Sequence, residues 1–198
     1  MTIKQKLKND IKKLIVNLQK KNLISNPRFA DRICTNNVIE TGTTVVKNED
    51  EYDELRVKEY DNDKYLFVLD DGSFFQINYR FNSINIESAN LSFWPGNIKE
   101  KEYIRYDYAS NEKDNFYHSS SHIHIGLKTS IRIPVNKILY PSDFVLIILY
   151  LYNKEYFEKV KNFYNIDTLN LEKIENATLF SSNKEFLYIN YGIDNCNL

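Results

Sequence analysis

The stretch YLFVLDDGSFFQINYRF, residues 65–81, decides the fold predicted for this chain. Two runs rich in aromatic and β-branched residues, 65–69 and 73–81, flank the tripeptide Asp70-Asp71-Gly72. Such runs are typical of strands. An Asp-Gly pair between them favours a tight turn, because glycine adopts positive φ without steric cost. We therefore predict an antiparallel hairpin near the middle of the chain.

More short strands are predicted around this hairpin, within residues 38–135. They are bounded by turn residues such as Asn, Gly and Pro, and no helical period separates them. Consecutive short strands without intervening helices indicate an antiparallel sheet, for which we expect five to seven strands and a curved shape. The further predicted strands are Arg56–Tyr60, Ile84–Phe93, Tyr103–Tyr108, Ser121–Leu127 and Ser130–Val135.

Residues 2–23 show the period of an amphipathic helix. Lysines occupy many of the positions between the apolar ones, and Asn26-Pro27 ends the pattern. The basic N-terminal segment, residues 1–28, is therefore expected to pack an apolar stripe across an edge or face of the sheet. That stripe consists of Ile3, Leu7, Ile11, Leu14, Ile15 and Leu18.

A second helix is predicted over residues 141–163. Pro141 suits the first turn of a helix, because the amide hydrogen that proline lacks has no helical partner there. The run from Phe144 to Tyr152 is apolar on every side. This helix should therefore be long and buried against the concave face of the sheet.

The last segment, residues 164–198, carries weaker patterns. They predict a short helix at 169–174 and a last strand at 185–191. No internal repeat or linker interrupts the sequence. We therefore predict a single α+β domain over residues 1–198.

The composition is that of an ordinary globular protein, with 42% hydrophobic residues, 27% charged residues and a net charge of -1. Near-neutral charge argues against a protein that coats DNA, which normally carries a basic surplus. The charge is uneven, because residues 1–28 hold eight Lys or Arg and one acidic residue. This segment can be a basic arm for nucleic acid, but a helix that docks through its apolar stripe is the favoured interpretation.

The two cysteines, Cys34 and Cys196, lie near opposite ends of the chain without the spacing of a metal site or a disulfide framework. The N-terminus lacks the pattern of a signal peptide. The longest apolar run, residues 144–152, is far shorter than the roughly 20 residues that a membrane span needs. We therefore expect a cytoplasmic protein with reduced thiols and no membrane partner.

All three histidines of the chain lie in the sequence FYHSSSHIHIG, residues 116–126. On a strand, His122 and His124 point to the same face because side chains alternate, and His118 would approach from the preceding loop. The cluster has three interpretations. It can bind a divalent metal, it can supply a general acid and a general base, or it can be structural and bonded to the serines at 119–121.

Charged residues on the neighbouring strands extend these interpretations. If a metal is present, Asp107 is a candidate ligand beside the three histidines, and Asp114 is another acid nearby in the sequence. Arg105 and Arg132 are candidates to hold a phosphate by paired hydrogen bonds. An ion pair between Arg105 and Asp107 is the structural alternative.

Four short motifs lie between Arg105 and Tyr152: RYD at 105–107, SHIHIG at 121–126, RIP at 132–134 and P-x-x-F at 141–144. In these motifs the chain resembles an uncharacterised bacterial family, the domain of unknown function 2290. The order of an Arg-Tyr-Asp strand and a His-x-His strand is also similar to TumE-type toxins of bacterial toxin–antitoxin pairs. These resemblances imply a toxin or phage-defence setting, and they imply no established activity.

The leading hypothesis is a toxin-like or defence-associated ribonuclease or phosphodiesterase that needs no cofactor. In it His122 and His124 act as acid and base, His118 assists, and Arg105 or Arg132 neutralises the phosphate of RNA or another phosphodiester. The first alternative is a non-catalytic subunit that docks on a larger protein partner encoded nearby. The second alternative is an enzyme that depends on a divalent metal at the histidine cluster.

Overall fold

The computed structural model describes residues 1–42, 45–46, 50–83, 85–96, 103–111, 120–126, 131–135 and 138–164. Within them the helices are α1 (Ile3–Lys20), α2 (Tyr52–Asp61), α3 (Pro141–Tyr152) and α4 (Lys154–Val160), and a 3-10 turn follows at Lys161–Tyr164. The strands are β1 (Ile24–Ser25), β2 (Val38–Glu40), β3 (Phe67–Leu69), β4 (Phe74–Asn82), β5 (Asn85–Trp94), β6 (Ile104–Ala109), β7 (Ser121–Ile125) and β8 (Ile131–Pro134).

The described strands form one sheet in the order β1-β3-β4-β5-β6-β7-β8, and β2 pairs with β4 outside this path. Each of these pairings is antiparallel, so the predicted α+β class with an antiparallel sheet is confirmed. The described sheet has eight strands, whereas the sequence predicts five to seven. The difference comes from β1 and β2, which are too short to show an alternating pattern.

The hairpin predicted from residues 65–81 is formed by β3 and β4. Gly72 has a φ of 80° in the turn, a value that favours glycine. The Leu69 amide donates a hydrogen bond to the Ser73 carbonyl at 2.7 Å, which closes the hairpin. The turn therefore fixes which residues of β4 lie opposite those of β3.

A β-bulge interrupts the pairing of β4 with β5 near the far end of that hairpin. Arg80 lies opposite Ser88, and Phe81 lies opposite Ile86, so Glu87 is the extra residue on β5. The extra residue reverses the alternation of β5 beyond it. Ile86 therefore joins Phe81 in the core, although Ser88, two residues away, lies on the other face.

One face of the sheet is apolar, and α1 and α3 pack on it in a single core. Fully burying each large apolar side chain contributes about 1.5–3 kcal/mol to stability, so this layer dominates the folding energy. A polar contact joins the two helices, because the Ser142 amide and hydroxyl both donate to the Asp10 carboxylate, at 2.9 and 2.5 Å. The strand residues that point to this face include Phe75, Ile77, Tyr79, Leu91, Phe93, Ile104, Tyr106 and Ile123.

A smaller aromatic cluster closes one end of the opposite face. Phe74 and Trp94 stack with their ring centroids 5.5 Å apart, and Tyr52 of α2 stacks on the same indole, also at 5.5 Å. The indole Nε1–H of Trp94 donates to Gln76 Oε1 at 2.9 Å, so its polar atom is satisfied. This second core anchors α2 and leaves the rest of the face to polar side chains.

The prediction of a strand at Arg56–Tyr60 is wrong, because these residues are helical in α2. Asp53 and Glu54 lie in the first turn, where negative charge is favourable, and the segment is rich in residues that favour helices. Val57 is half exposed, at 50%, so its alternation with polar neighbours does not reflect a buried face. Five residues are too few to separate a period of two from one of 3.6.

The helix predicted over 141–163 begins at Pro141 as expected but ends at Tyr152. Asn153 adopts a non-helical conformation with φ -141° and ψ 77°, and its side chain accepts a hydrogen bond from the Tyr156 amide at 3.1 Å. It therefore caps a new helix, α4. The prediction of one long buried helix is not confirmed, since Leu151 is 57% exposed.

The helix predicted at 169–174 and the strand predicted at 185–191 lie outside the described residues. Among the helices that the structure does describe, none combines the length and the apolar character that a bilayer crossing requires.

Candidate functional site

Four neighbouring strands, β4 to β7, present polar side chains on the face opposite α1 and α3. Because side chains alternate along a strand, the residues between core positions point to this second face. The antiparallel register then aligns them across the four strands. We call this set the polar face. It consists of Asn78, Arg80, Ser88, Asn90, Arg105, Asp107, His122 and His124.

The register brings five of these side chains into one patch. Asn90 of β5 lies opposite Asp107 of β6, which lies opposite His122 of β7. In the next row, Arg105 lies opposite His124. Directly opposite side chains start about 4.5–5.5 Å apart at Cβ, so their polar ends are within reach of one another.

Three potential ligand atoms converge at the centre of this patch. The Nε2 atoms of His122 and His124 lie 2.8 Å apart. His124 Nε2 lies 3.1 Å from Asp107 Oδ2, and His122 Nε2 lies 4.0 Å from the same oxygen. We call these residues the triad. Two ring nitrogens at 2.8 Å need a proton or a cation between them, because two facing lone pairs would repel each other.

The carboxylate of Asp107 is held from two further sides. Asn90 Nδ2 donates to Oδ1 at 2.5 Å, and Arg105 Nε donates to Oδ2 at 2.6 Å. Burial acts to raise the pKa of Asp107, but the hydrogen bond from His124 and the charge of Arg105 outweigh it and place the pKa below its ordinary value of 3.8. The carboxylate is therefore an anion at neutral pH, and its orientation is fixed.

The triad borders a cavity of about 370 Å³ on the polar face. His122 and His124 are only 3% and 9% exposed, and both line this cavity. Its volume falls within the range of small-molecule sites, roughly 300–1,000 Å³. Further lining residues include Arg80, Ser88, Asn90 and Arg105. The cavity can therefore hold a ligand beside the three converging atoms.

The triad has the donor set of a transition-metal site. Two imidazole nitrogens and one carboxylate oxygen suit zinc, iron or nickel, whereas magnesium and calcium prefer oxygen ligands alone. Ligands at about 2.1 Å from an ion lie roughly 2.9–3.4 Å from one another in octahedral or tetrahedral geometry. The observed separations of 2.8, 3.1 and 4.0 Å bracket that range. Asp107, His122 and His124 therefore fit a divalent ion with small adjustments.

The other predicted site residues have different positions. His118 and Asp114 lie outside the described residues. Arg132 lies opposite His124 in the register of β7 and β8, and its side chain is outside the described part of the structure. Arg105 forms the ion pair with Asp107 that the sequence offers as a structural alternative.

The structural interpretation of the histidines involved hydrogen bonds to the neighbouring serines. Ser121 alternates to the other face, where its hydroxyl lies 3.0 Å from the Tyr106 hydroxyl in the apolar layer. The two rings lie against each other, and His124 also contacts Asp107, a carboxylate that can bind a cation. Ser119 lies outside the described residues, and the structural interpretation stays a prediction.

Asn90 and Arg80 also line the cavity, although neither is predicted from the sequence as a site residue. Each lies on a strand that the sequence predicts, at a position of the alternation that points away from the core. The turn at Gly72 fixes the frame of β4, so its polar positions can be read from the sequence as one set. Together with the polar positions of β5, this set is the sequence signal from which Arg80 and Asn90 could have been predicted as site residues.

Comparison with protein families finds a match that covers most of the chain. Residues 15–103 and 96–191 match the family described as "Uncharacterized conserved protein (DUF2290)". Searches of curated proteins and of solved structures found no match. The likeness to TumE-type toxins stays a resemblance between short motifs. The two matched segments cover most of the chain, which therefore belongs to the DUF2290 family.

Proposed function

We propose that this protein is a metal-dependent hydrolase whose divalent ion is bound by Asp107, His122 and His124. The observation that carries the proposal is the convergence of Asp107 Oδ2 and the two histidine Nε2 atoms, at 2.8, 3.1 and 4.0 Å, beside a cavity. Among the alternatives drawn from the sequence, the metal-dependent enzyme agrees best with this geometry.

A cation resolves the electrostatics of the triad. The two Nε2 atoms and the carboxylate oxygen lie close together, and each of the three can ligate a metal ion. A divalent ion accepts all three at once. Asn90 and Arg105 would then be outer partners that orient the ligating carboxylate, as is usual around metal centres.

Three protein ligands leave coordination positions open toward the cavity. A divalent ion held by Asp107, His122 and His124 would lower the pKa of a bound water to near 7 and would so supply a hydroxide nucleophile for ester hydrolysis at neutral pH. Arg105, bonded to Asp107, keeps positive charge close to the anionic transition state.

A second candidate function is the metal-free ribonuclease or phosphodiesterase predicted from the sequence. The observation that favours it is the contact of His124 with Asp107 at 3.1 Å, because a carboxylate beside an imidazole orients it as a general base. His122 would then act as the acid. Against it, the two Nε2 atoms face each other, whereas an acid and a base need to face the substrate.

The biological setting suggested by the sequence stays a prediction. A role in a toxin–antitoxin or phage-defence system, and docking on a protein encoded nearby, can be tested by inspecting the neighbouring genes and by co-purification. If the chain were a non-catalytic subunit, a triad variant would still bind that partner and would retain its cellular effect.

The proposed function is tested by metal content and by one matched pair of variants. Asp107→Asn keeps the shape of the side chain but removes its charge, and Asp31→Asn makes the same change at an exposed carboxylate that pairs with Lys12. We expect the purified wild-type protein to bind one Zn²⁺ or Fe²⁺ per chain in calorimetric titration. Asp107→Asn should lose at least the 10- to 100-fold in affinity that outer partners alone contribute.

The hydrolytic step is tested with bis(p-nitrophenyl) phosphate. Metal-loaded wild-type protein should release nitrophenol, and a chelator should abolish the release. Hydrolysis that persists after complete metal removal, and that requires His122 and His124, would reject the metal centre in favour of the second candidate. Equal metal affinity in Asp107→Asn and Asp31→Asn would also reject it.

A further inference from the structure

Arg80 is the feature of the cavity that the triad leaves unexplained. It lies on β4, exposed at the far side of the polar face, and its side chain lines the cavity together with the triad. In the register it lies opposite Ser88, one row away from Asn78 and Asn90. An arginine in this position points a planar set of donors into the space where a ligand would lie.

Arg28, Arg56 and Arg105 have protein partners within the described residues. Arg105 pairs with Asp107 at 2.6 Å, and Arg28 pairs with Asp63 at 2.6 Å. Arg56 donates to the carbonyls of Pro95 and Gly72. For Arg80, no ion pair or side-chain hydrogen bond to another described residue is present. Its donors are therefore available to a ligand within this part of the chain.

The charges around the cavity favour an anion. Arg80 and Arg105 are cations, Asp107 is the one carboxylate among the described lining residues, and a divalent ion at the triad would add two positive charges. Glu40 of β2 lies opposite Asn78 but does not come within ion-pair distance of Arg80 in the described structure. A concave site with this surplus attracts anions and raises their local concentration.

The spacing of the strands sets the length of that anion. Arg80 is on β4 and Asp107 is on β6, two strand spacings away and two residues further along the strands, which is about 12 Å at Cα. The amide of Asn78 and the hydroxyl of Ser88 lie along the way and can bond to polar groups between the two ends. Inorganic phosphate is too small to contact both ends at once.

We infer that the cavity binds a phosphorylated molecule of nucleotide size, with one phosphate held by Arg80 and the ester to be hydrolysed placed at the triad. The inference rests on the proposed function for the second end of the site. The first end, an anion site at Arg80, follows from the cavity lining and charge alone. A guanidinium suits phosphate because its paired N–H groups match two phosphate oxygens.

The test uses adenosine 3′,5′-bisphosphate, which carries two phosphates on one ribose, and inorganic phosphate, both in calorimetric titrations. Arg80→Ala should weaken bisphosphate binding about 10- to 100-fold, the loss expected for hydrogen bonds to a charged group. Arg80→Lys keeps the charge without the paired donors and should restore part of it. Arg32→Ala removes an exposed arginine outside the cavity and should bind like wild type.

Metal titration of the same variants separates the two proposals. Arg80→Ala should bind Zn²⁺ as tightly as wild type, because it does not touch the triad. If the wild-type protein bound no metal but bisphosphate binding still depended on Arg80, the hydrolase would be rejected and the anion site retained. Equal bisphosphate affinity in Arg80→Ala and wild type would overturn the inference. A ten-nucleotide RNA that bound far more tightly than the bisphosphate would also overturn the inference, because the ligand would then be single-stranded RNA.

Discussion

The two faces of the sheet are built from the same strands and differ in how their polar atoms are used. On the apolar face, the Tyr79 hydroxyl donates to the Leu139 carbonyl at 2.7 Å, and the Leu139 amide donates to the Tyr106 hydroxyl at 3.2 Å. On the polar face, the side chains of Asp107, His122 and His124 turn potential metal-ligand atoms toward a common point. Polar atoms that pair with backbone groups inside a core indicate a structural role, whereas converging ligand atoms indicate a place for a cation or a ligand.

The faces also differ in what holds them. The apolar face is stabilised by the burial of apolar surface under α1 and α3. This hydrophobic contribution does not depend on the orientation of particular atoms. The polar face depends on directed bonds such as those from Asn90 and Arg105 to Asp107. Changes on the first face should therefore alter folding, and changes on the second should alter binding. Three further variants test that separation.

The largest expected effect is on the apolar face, at Phe75. This ring is 1% exposed and packs at 5.0 Å from the Phe93 ring and 6.2 Å from the Phe144 ring. Phe75→Ala should lower the free energy of unfolding by about 3–5 kcal/mol, measured by urea denaturation. Phe29→Ala, at a ring that is 48% exposed, should change it by less than about 0.5 kcal/mol. Similar losses in both variants would contradict the assignment of the core.

The second effect is on the polar face, at Asn90. Asn90→Ala removes the hydrogen bond to Asp107 Oδ1 and leaves the triad intact. Zn²⁺ affinity should fall about 10- to 100-fold, as for other outer partners of metal ligands. Asn9→Ala, on the surface of α1, is the control and should leave the affinity unchanged. If Asn90→Ala bound Zn²⁺ like wild type, Asn90 would have no part in orienting the carboxylate.

The smallest effect is expected at Asp10, whose carboxylate joins α1 to α3 through its hydrogen bonds with Ser142. Burial raises the pKa of Asp10 from 3.8 to about 6, against the hydrogen bonds from Ser142, which lower it. Between pH 4 and 6 the folded state therefore holds a proton that the unfolded state releases, and stability falls as the pH rises through this window. A pKa shift of this size corresponds to about 3 kcal/mol in the free energy of unfolding. We expect a change of about 1–2 kcal/mol, because the side chain is only partly buried.

The measurement compares urea denaturation of wild type and Asp10→Asn at pH 4 and pH 7. The stability of wild type relative to the variant should be lower at pH 7. Asp31→Asn should show the opposite pH dependence of stability. The hydrogen bond and the charge of Lys12 lower the pKa of Asp31, so the stability that this carboxylate contributes is lost as the pH falls. A pH-independent difference for Asp10→Asn would show that Asp10 is not desolvated.

The sequence predicts those elements whose pattern lies within one continuous segment and repeats over many residues. α1, the β3–β4 hairpin and the start of α3 at Pro141 follow from helical period, turn chemistry and proline geometry, each contained within about twenty residues. The shared face of His122 and His124 likewise follows from alternation within one strand. These predictions depend on no knowledge of which strands are neighbours.

The remaining features depend on partners that are distant in sequence. α2 is short, and its place under the sheet is set by the stacking of Tyr52 on Trp94, which no local pattern contains. The approach of Asn90 and Arg80 to the site depends on the order and register of four strands. The end of the third helix at Asn153 results from one capping side chain, which competes with an apolar run that would otherwise continue.

The bulge at Glu87 has a consequence for how this protein can change over evolutionary time. The extra residue shifts the alternation of side chains between the two faces of β5. The alternation at the tip of the β4–β5 hairpin is therefore independent of the alternation that positions Asn90. Insertions or deletions at the tip, near Ser83, would leave the order of polar and apolar residues around the cavity undisturbed. The loop can therefore diversify among descendants while the cavity itself is inherited unchanged.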